Sequence, residues 1–140
     1  MNIEQISGPH IVRETNWVGR RTPFHCAANG KALLAFQPEE MIERILAGPL
    51  PRMTDRTIAE PGAVRAELAR VRACGYARAV GELEAGLNGV AAPIRDAGGS
   101  VVAAVSASGP AYRVTVERLA DLGALVVDTA ERISERLGYS

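Results

Sequence analysis

Apolar positions recur along the chain with two different periods. Spacings of three or four residues predict helices over residues 27–36, 38–47 and 61–74, and a longer helix from Thr115 to Gly138. Alternating or short apolar runs predict strands over residues 3–7, 11–15, 76–82, 89–95 and 100–108. The order of strands, three helices, strands and a long helix favours an α+β fold, with helices packed on an antiparallel sheet.

The ends of several elements are marked by local chemistry. Gly75 suits the left-handed residue that ends a helix, and Thr115 suits the residue that caps the start of one. Residues 96–99, Asp-Ala-Gly-Gly, predict a tight turn and therefore an antiparallel hairpin between the last two strands. Pro93 has no N–H, so its strand is expected at a sheet edge or with a bulge there.

Composition narrows the class of protein. A length of 140 residues, 47% of them hydrophobic, supports one domain with its own core. Sixteen basic and sixteen acidic residues cancel, which argues against a module that binds duplex DNA by itself. Cys26 and Cys74 are isolated, so we expect no metal site, disulfide or cofactor. Neither a signal peptide nor a membrane span of ~18 apolar residues is present, so we expect a cytoplasmic protein.

Five segments together resemble the C-terminal effector-binding domain of IclR-family bacterial transcriptional regulators. Their sequences are PFHCAANGKALLA (23–35), TDRTI (54–58), RVRACGYA (70–77), ELEAGLNGVAAPI (82–94) and VSASGP (105–110). Each motif is weak alone, but the five occur in the family's order across the chain.

The resemblance implies a GAF/PAS-like fold, a curved antiparallel sheet with helices on its faces. It also implies homo-oligomers, either dimers or dimers of dimers, that bind a small organic acid or aromatic carboxylate as effector. DNA binding in the family belongs to an upstream winged helix-turn-helix, which nothing here matches. We therefore expect residues 1–140 to be an effector-binding domain truncated at its N-terminus, with no membrane partner.

The resemblance also gives the candidate effector-binding residues, which are Ala28, Asn29, Gly30, Leu87, Asn88, Gly89, Ser106, Ser108 and Trp17. Ser106 and Ser108 share one strand face, so both hydroxyls can reach one ligand; the alternative is that they satisfy backbone groups near the Gly109–Pro110 break. Residues 28–30 begin a helix whose N–H groups favour an anion, or they form an ordinary turn. Trp17 borders the pocket, or packs elsewhere as a core or partner-surface residue.

Charged and small residues near these segments refine the picture. Lys31 could be a counter-ion for the effector, but we expect it to point to solvent or form a structural ion pair. Glu82 could form a hydrogen bond to a ligand or to the backbone, and we expect it to be structural. Ala79, Gly81 and Gly89 stand where many family members carry acidic residues or cysteine. Their small size predicts a larger pocket with fewer polar groups, suited to an aromatic acid rather than a two- or three-carbon acid.

Three other functions compete with effector sensing. His25–Cys26 invites a thiol-enzyme interpretation, but adjacent residues rarely form a base–nucleophile pair, so we expect no enzyme. A dimerisation or interaction module of GAF type without a ligand is the main alternative. A sensor of nucleotides or light is the third, but no cysteine or histidine lies in a chromophore-binding context.

Overall fold

The computed structural model describes residues 5–7 and 24–139, which form helices and strands in nearly the predicted order. The helices are α1 (Ala28–Leu34), α2 (Glu39–Ala47), α3 (Pro61–Cys74) and α4 (Leu119–Arg136). The strands are β1 (Gln5–Ser7), β2 (Ala77–Val80), β3 (Leu87–Arg95) and β4 (Val101–Pro110). The strand predicted over residues 11–15 lies outside the described residues.

The described strands form one antiparallel sheet in the order β1-β4-β3-β2. The predicted hairpin is confirmed as β3 and β4. In its turn the Asp96 N–H donates to the Ser100 carbonyl at 2.9 Å, and the Gly99 N–H donates to the Asp96 carbonyl at 2.9 Å. Gly99 has a φ of 89°, a conformation that glycine adopts without strain.

Pro93 lies in β3, which is an interior strand of the sheet. At Pro93 itself, however, one edge of the strand has no neighbour among the described residues and an irregularity follows, as expected. The pairing of β2 with β3 reaches only to Ala77 opposite Ala91, so β3 continues past the end of β2 before Pro93. A register shift follows between Ile94 and Arg95. The edge of β3 is therefore uncovered where the proline removes a hydrogen-bond donor.

Helices cover both faces of the sheet, which confirms the predicted α+β architecture. One apolar cluster joins α1, α2 and α3 to one face, where it includes Ala77, Ala91 and Ala104. A second cluster joins α4 to the other face through Val90, Ile94, Ala103, Val105 and Ala107. Because side chains alternate along a strand, adjacent residues of β3 and β4 serve different clusters.

The start of the last helix differs from the prediction. Thr115 is extended, but its side chain makes no capping bond, and a 3₁₀ turn over Val116–Arg118 comes first. The Arg118 N–H donates to the Thr115 carbonyl at 3.0 Å, which is the tighter bonding pattern of such a turn. The α-helix proper therefore begins at Leu119, while the predicted end is confirmed by Gly138, whose φ is 98°.

Lys31 is the most deeply placed charge in the described structure, with no exposed surface. Its Nζ lies 3.1 Å from Glu67 Oε2 and 2.6 Å from Glu82 Oε1, and it donates to the Arg78 carbonyl at 2.9 Å. The expectation of a structural ion pair is confirmed, and that of a solvent-facing lysine is wrong, because partners distant in sequence enclose the ammonium. This cluster ties α1 to α3, to β2 and to the β2–β3 connection.

Lys31 and Glu82 also form hydrogen bonds to backbone groups on the outer edge of β2. The Gly81 N–H donates to the Leu87 carbonyl at 2.9 Å, so the backbone groups of Gly81 face β3. Backbone groups of successive strand residues face opposite sides, so those of Arg78 and Val80 face away from β3. Lys31 Nζ donates a hydrogen bond to the Arg78 carbonyl, and the Val80 N–H donates to Glu82 Oε2 at 3.3 Å. The ion pair thus bonds one outward backbone group of each residue, as a neighbouring strand would, and Glu82 has the structural role that we expected.

Neighbouring positive charges also keep Glu67, the other carboxylate paired with Lys31, in its ionised form. Burial favours the neutral carboxyl of Glu67, but the hydrogen bonds and positive charges of Arg70 and Lys31 outweigh it and hold the pKa of Glu67 below its usual value. Arg70 Nη2 donates to Glu67 Oε2 at 2.8 Å. Glu67 therefore stays ionised beside the buried lysine.

Neither cysteine is in a disulfide, and the two differ in environment. Cys26 is fully buried, whereas Cys74 is exposed. Burial, followed by the nearby charge of Glu82, raises the pKa of the Cys26 thiol to about 11. Cys26 is accordingly a packing residue that stays protonated near neutral pH.

We predict that Lys31→Met lowers the free energy of unfolding by about 3–5 kcal/mol, because Glu67 and Glu82 lose the buried partner that they share. Urea denaturation followed by circular dichroism measures the change. The control is Arg65→Met, which breaks the Arg65–Glu39 pair, whose side chains are 41% and 63% exposed. That exposed pair contributes less than about 1 kcal/mol. Similar losses in the two variants would contradict the role assigned to Lys31.

We predict that iodoacetamide modifies Cys74 but not Cys26 in the folded protein at about pH 8, since alkylation requires an accessible thiolate. Peptide mass spectrometry reads out the modified site. In Cys74→Ser, we expect no modification of the folded chain and complete modification in urea. Rapid labelling of Cys26 in the folded variant would show that the thiol is accessible and ionised.

Candidate ligand-binding site

A cavity of about 220 Å³ opens where the start of α1 approaches β2, β3 and β4. The residues around it come from stretches far apart in sequence, and all of them are small, apolar or uncharged polar. The lining consists of Ala27, Ala28, Asn29, Ala79, Leu83, Leu87, Asn88, Gly89, Val90, Ser106 and Ser108.

Most residues of the predicted site meet at this cavity. Residues 28–29, residues 87–89 and both serines belong to its lining. Gly30 is buried in α1 and is not among the lining residues. Trp17 lies outside the described residues, so its predicted place at the site stays a prediction.

Strand register explains why one face of the sheet becomes the cavity floor. Ala79, Gly89 and Ser108 are consecutive cross-strand partners, and Ser106 lies opposite Ala91 on the same face. A Cβ built on Gly89 would lie 2.9 Å from Ser108 Cβ and 3.2 Å from the Ala107 carbonyl oxygen. The Ser108 side chain therefore fits only because Gly89 has no side chain of its own.

Asn88 borders the cavity, but its side-chain nitrogen has a different task. Its Nδ2 donates to the Val114 carbonyl at 2.8 Å, which fixes the segment between β4 and the 3₁₀ turn. Asn88 pairs with Val80 and alternates with Gly89, so its side chain belongs to the α4 face of the sheet. One hydrogen of this amide is thus committed to structure, and the role of Asn88 in effector binding stays a prediction.

The start of α1 offers fewer donors than the sequence led us to expect. The helix has seven residues, the Gly30 N–H donates to Asn29 Oδ1 at 2.8 Å, and the Lys31 N–H donates to the Ala27 carbonyl at 2.9 Å. Because the Asn29 side chain already accepts the Gly30 N–H, the geometry favours the ordinary turn of the two alternatives, and Gly30 as an effector-binding residue stays a prediction.

Sequence reasoning missed two lining residues, Ala27 and Leu83, whereas Val90 ends the segment 84–90 that the resemblance gave as one wall of the pocket. Leu83 has a local signal, since it follows Glu82, whose pairing with Lys31 fixes the chain at that point. Of the small residues expected to enlarge the pocket, Ala79 and Gly89 do line it. Gly81 does not; it lines another cavity, where a Cβ would lie 3.1 Å from Arg56 Cδ.

No charged side chain occurs among the described residues that line the cavity. Lys31 is close in sequence, but its ammonium group donates to Glu67 and to the Arg78 carbonyl and forms an ion pair with Glu82. A bound anion would therefore rely on hydroxyl and amide groups. The chemistry available is hydrogen bonding to a small polar group together with apolar contact from Leu83 and Leu87.

The residues that invited a catalytic interpretation lack the necessary geometry. His25 Nε2 is engaged with the Pro51 carbonyl at 2.8 Å, and Cys26 has a raised pKa. Within residues 5–7 and 24–139, no three His, Cys, Asp or Glu side chains gather as metal ligands. None of the described helices has the length and apolarity needed to cross a membrane.

Comparison with known proteins connects this architecture to a family. The model of the family described as "Bacterial transcriptional regulator IclR C-terminal" matches residues 1–135. The chain is 43% identical over 129 residues to the HTH-type transcriptional repressor AllR of Klebsiella pneumoniae, covering 91% of this chain and 47% of that protein. It is 36% identical over 138 residues to the HTH-type transcriptional regulator KdgR of Escherichia coli, covering 98% and 52%. It thus spans about half the length of these curated relatives.

Solved structures agree with the sequence matches. The crystal structure of the C-terminal domain of Escherichia coli KdgR has a TM-score of 0.77 at 37% identity, covering 86% of this chain and 74% of that one. A double mutant of the PobR inducer-binding domain from Acinetobacter, solved with 3-hydroxybenzoic acid, has a TM-score of 0.74 at 30% identity, covering 81% and 66%. These relatives are named as regulators rather than enzymes. The chain belongs to the IclR family of bacterial transcriptional regulators, whose C-terminal domain it matches.

Proposed function

We propose that the chain is the effector-binding part of an IclR-type regulator and that its cavity binds a small organic acid. The observation that carries the proposal is the convergence of residues 28–29, Leu87 and the paired serines on one cavity. Three segments that are distant in sequence leave a space there rather than filling it with side chains. A space with apolar walls and a few polar groups is typical of a small-molecule site.

The cavity limits the size of the effector. At about 220 Å³ it is smaller than the roughly 300–1,000 Å³ of pockets for drug-sized molecules, so the effector has at most one ring. Ser106 and Ser108 can each donate to a carboxylate, and hydrogen bonds to a charged acceptor are stronger than neutral ones. Leu83 and Leu87 offer an apolar surface to the rest of the molecule.

Small lining residues favour an aromatic acid over a shorter one. Ala79 and Gly89 bring no polar side chain to the cavity, so much of a two-carbon or three-carbon acid would have no partner. The PobR inducer-binding domain, solved with 3-hydroxybenzoic acid, shows that a related domain holds an aromatic acid. We infer that a monocyclic aromatic carboxylate is the effector class.

Regulation follows if the effector prefers one arrangement of the domain. The ligand would contact α1, the β2–β3 connection and β4 together, and it shifts an equilibrium only by its different affinities for the two states. In this proposal the domain forms dimers or dimers of dimers in the bacterial cytoplasm. Their geometry controls a winged helix-turn-helix that lies outside these 140 residues.

One observation favours the alternative of an interaction module without a ligand. The side chain of Tyr112 is 81% exposed, and Val116 and Met53 are each 50% exposed. Large apolar groups in water are frequent at surfaces that bind proteins. Such a surface is compatible with sensing, and calorimetry distinguishes a sensor from a pure interaction module.

We predict that calorimetry finds tighter binding of benzoate or 3-hydroxybenzoate than of pyruvate or glyoxylate. Ser106→Ala and Ser108→Ala each weaken binding by about tenfold or more, because each removes a hydrogen bond to a charged group. The control is Ser100→Ala, at an exposed position in the hairpin turn, which leaves affinity unchanged. Tightest binding of glyoxylate or pyruvate defeats the aromatic class, and no binding of any acid favours the interaction module.

We predict that Gly89→Ala weakens binding of the aromatic acid more than that of pyruvate. The added methyl group meets Ser108 and takes space from the cavity, which matters most to the larger ligand. The control is Gly62→Ala, where a Cβ meets nothing within 4 Å. Calorimetry on both variants gives the two affinity ratios, and equal losses for the two acids would show that Gly89 does not set the size of the cavity.

A further inference from the structure

A second cavity, of about 450 Å³, lies at the other end of β3, and we call it the edge cavity. It is bordered by Ala92, Pro93 and Arg95, where β3 continues past the end of β2. Unlike the first cavity it falls within the usual size range of small-molecule sites. Its side chains with specific chemistry are Phe36, Arg72, Arg95, Glu131, Glu135 and Tyr139.

Both arginines of the edge cavity are held by the protein itself. Arg72 Nη1 donates to the Ala35 carbonyl at 3.0 Å, and Arg95 Nη1 donates to the Gly99 carbonyl at 2.9 Å. The Arg95 guanidinium also lies 4.9 Å from the centroid of the Phe36 ring and 5.9 Å from that of Tyr139. A guanidinium has five donors, and one fixed in advance loses less side-chain freedom when it binds a carboxylate.

The acidic residues of the edge cavity come from a different element. Glu131 and Glu135 lie one turn apart on α4, whereas Arg72 is on α3 and Arg95 is on β3. Within the described part of the chain, no ion pair joins either glutamate to either arginine, although all four line one cavity. The edge cavity thus has positive side chains on one side and negative side chains on the other, and no direct ion pair between them closes it.

We propose that the edge cavity binds an aromatic α-amino acid in its zwitterionic form. The carboxylate meets Arg72 and Arg95, the ammonium group meets Glu131 and Glu135, and the ring packs beside Phe36 and Tyr139. A phosphorylated ligand is disfavoured, because its charge would be repelled by two carboxylates. The proposal is independent of the effector assigned to the first cavity.

The test is a titration followed by ¹H–¹⁵N NMR with three probes, L-phenylalanine, 3-phenylpropionate and 2-phenylethylamine. The second probe lacks the ammonium group, and the third lacks the carboxylate. L-phenylalanine at millimolar concentration is expected to shift the amides of Arg95 and residues 131–135. Each of the other probes is expected to bind about fivefold more weakly, as the loss of partly exposed charge pairs implies.

Matched variants test whether the two glutamates of the edge cavity bind the ammonium group of the ligand. Glu131→Gln combined with Glu135→Gln is expected to weaken L-phenylalanine about fivefold and to leave 3-phenylpropionate unchanged. Glu43→Gln, at an exposed position on α2, is the control and is expected to change neither affinity. Circular dichroism melts verify that the variants fold.

Three outcomes would overturn the proposal. The first is an absence of shifts around the edge cavity with L-phenylalanine at millimolar concentration. The second is a set of shifts confined to the lining of the first cavity, and the third is equal affinity for L-phenylalanine and 3-phenylpropionate. Because benzoate binding at the first cavity is measured separately, failure here leaves the effector proposal untouched.

Discussion

A lysine ammonium without solvent contact is the constraint around which this domain is arranged. Lys31 is fully buried, and an unpaired charge in that position would cost several kcal/mol. Glu67 and Glu82 supply the opposite charges, and the Arg78 carbonyl takes a further hydrogen bond. The three contacts join α1 to α3, to β2 and to the β2–β3 connection, and all of these except α3 border the first cavity. The pocket is therefore shaped by an electrostatic cluster that lies outside it.

Small side chains have the complementary role of leaving space. The chain has only 4% aromatic residues, and the centre of its sheet is built largely from alanine, glycine, serine and valine. At Gly89 the missing side chain makes room for Ser108, and Ala79 lies beside it. Both cavities border β3, the first along residues 87–90 and the edge cavity along residues 92–95. The strand between them is short, so ligands at the two places would contact one continuous element.

Local rules were sufficient for much of the fold and part of the site. Strand alternation places Ser106 and Ser108 on one face, and glycine chemistry identifies the ends of helices at Gly75 and Gly138. Residues 28–29 and 87–89 entered the site through family resemblance rather than through periodicity. These predictions depended on neighbours in the chain or on recognised motifs, and not on knowledge of long-range contacts.

The errors share a different cause, which is the identity of partners distant in sequence. The burial of Lys31 depends on Glu67, 36 positions away, and the hydrogen bond from Asn88 to the Val114 carbonyl, which the sequence did not indicate, spans 26 positions. Gly123, for which the sequence analysis made no prediction, also meets a partner that is distant in sequence. It stands inside α4, where glycine lowers helix propensity, yet a Cβ there would lie 2.5 Å from atoms of the Tyr76 ring. Hydrophobic periodicity gives the face on which a residue lies, but not which group arrives from another element.

The occupied outer edge of β2 has a consequence for how copies of the domain can meet. An exposed strand offers unpaired N–H and carbonyl groups to which a strand from another molecule readily adds. Here Lys31 accounts for the outward carbonyl of Arg78 and Glu82 for the outward N–H of Val80, so an incoming strand would have to displace buried charges to pair on that side. Pairing with another strand at this edge would therefore compete with the ion pairs that stabilise the buried lysine.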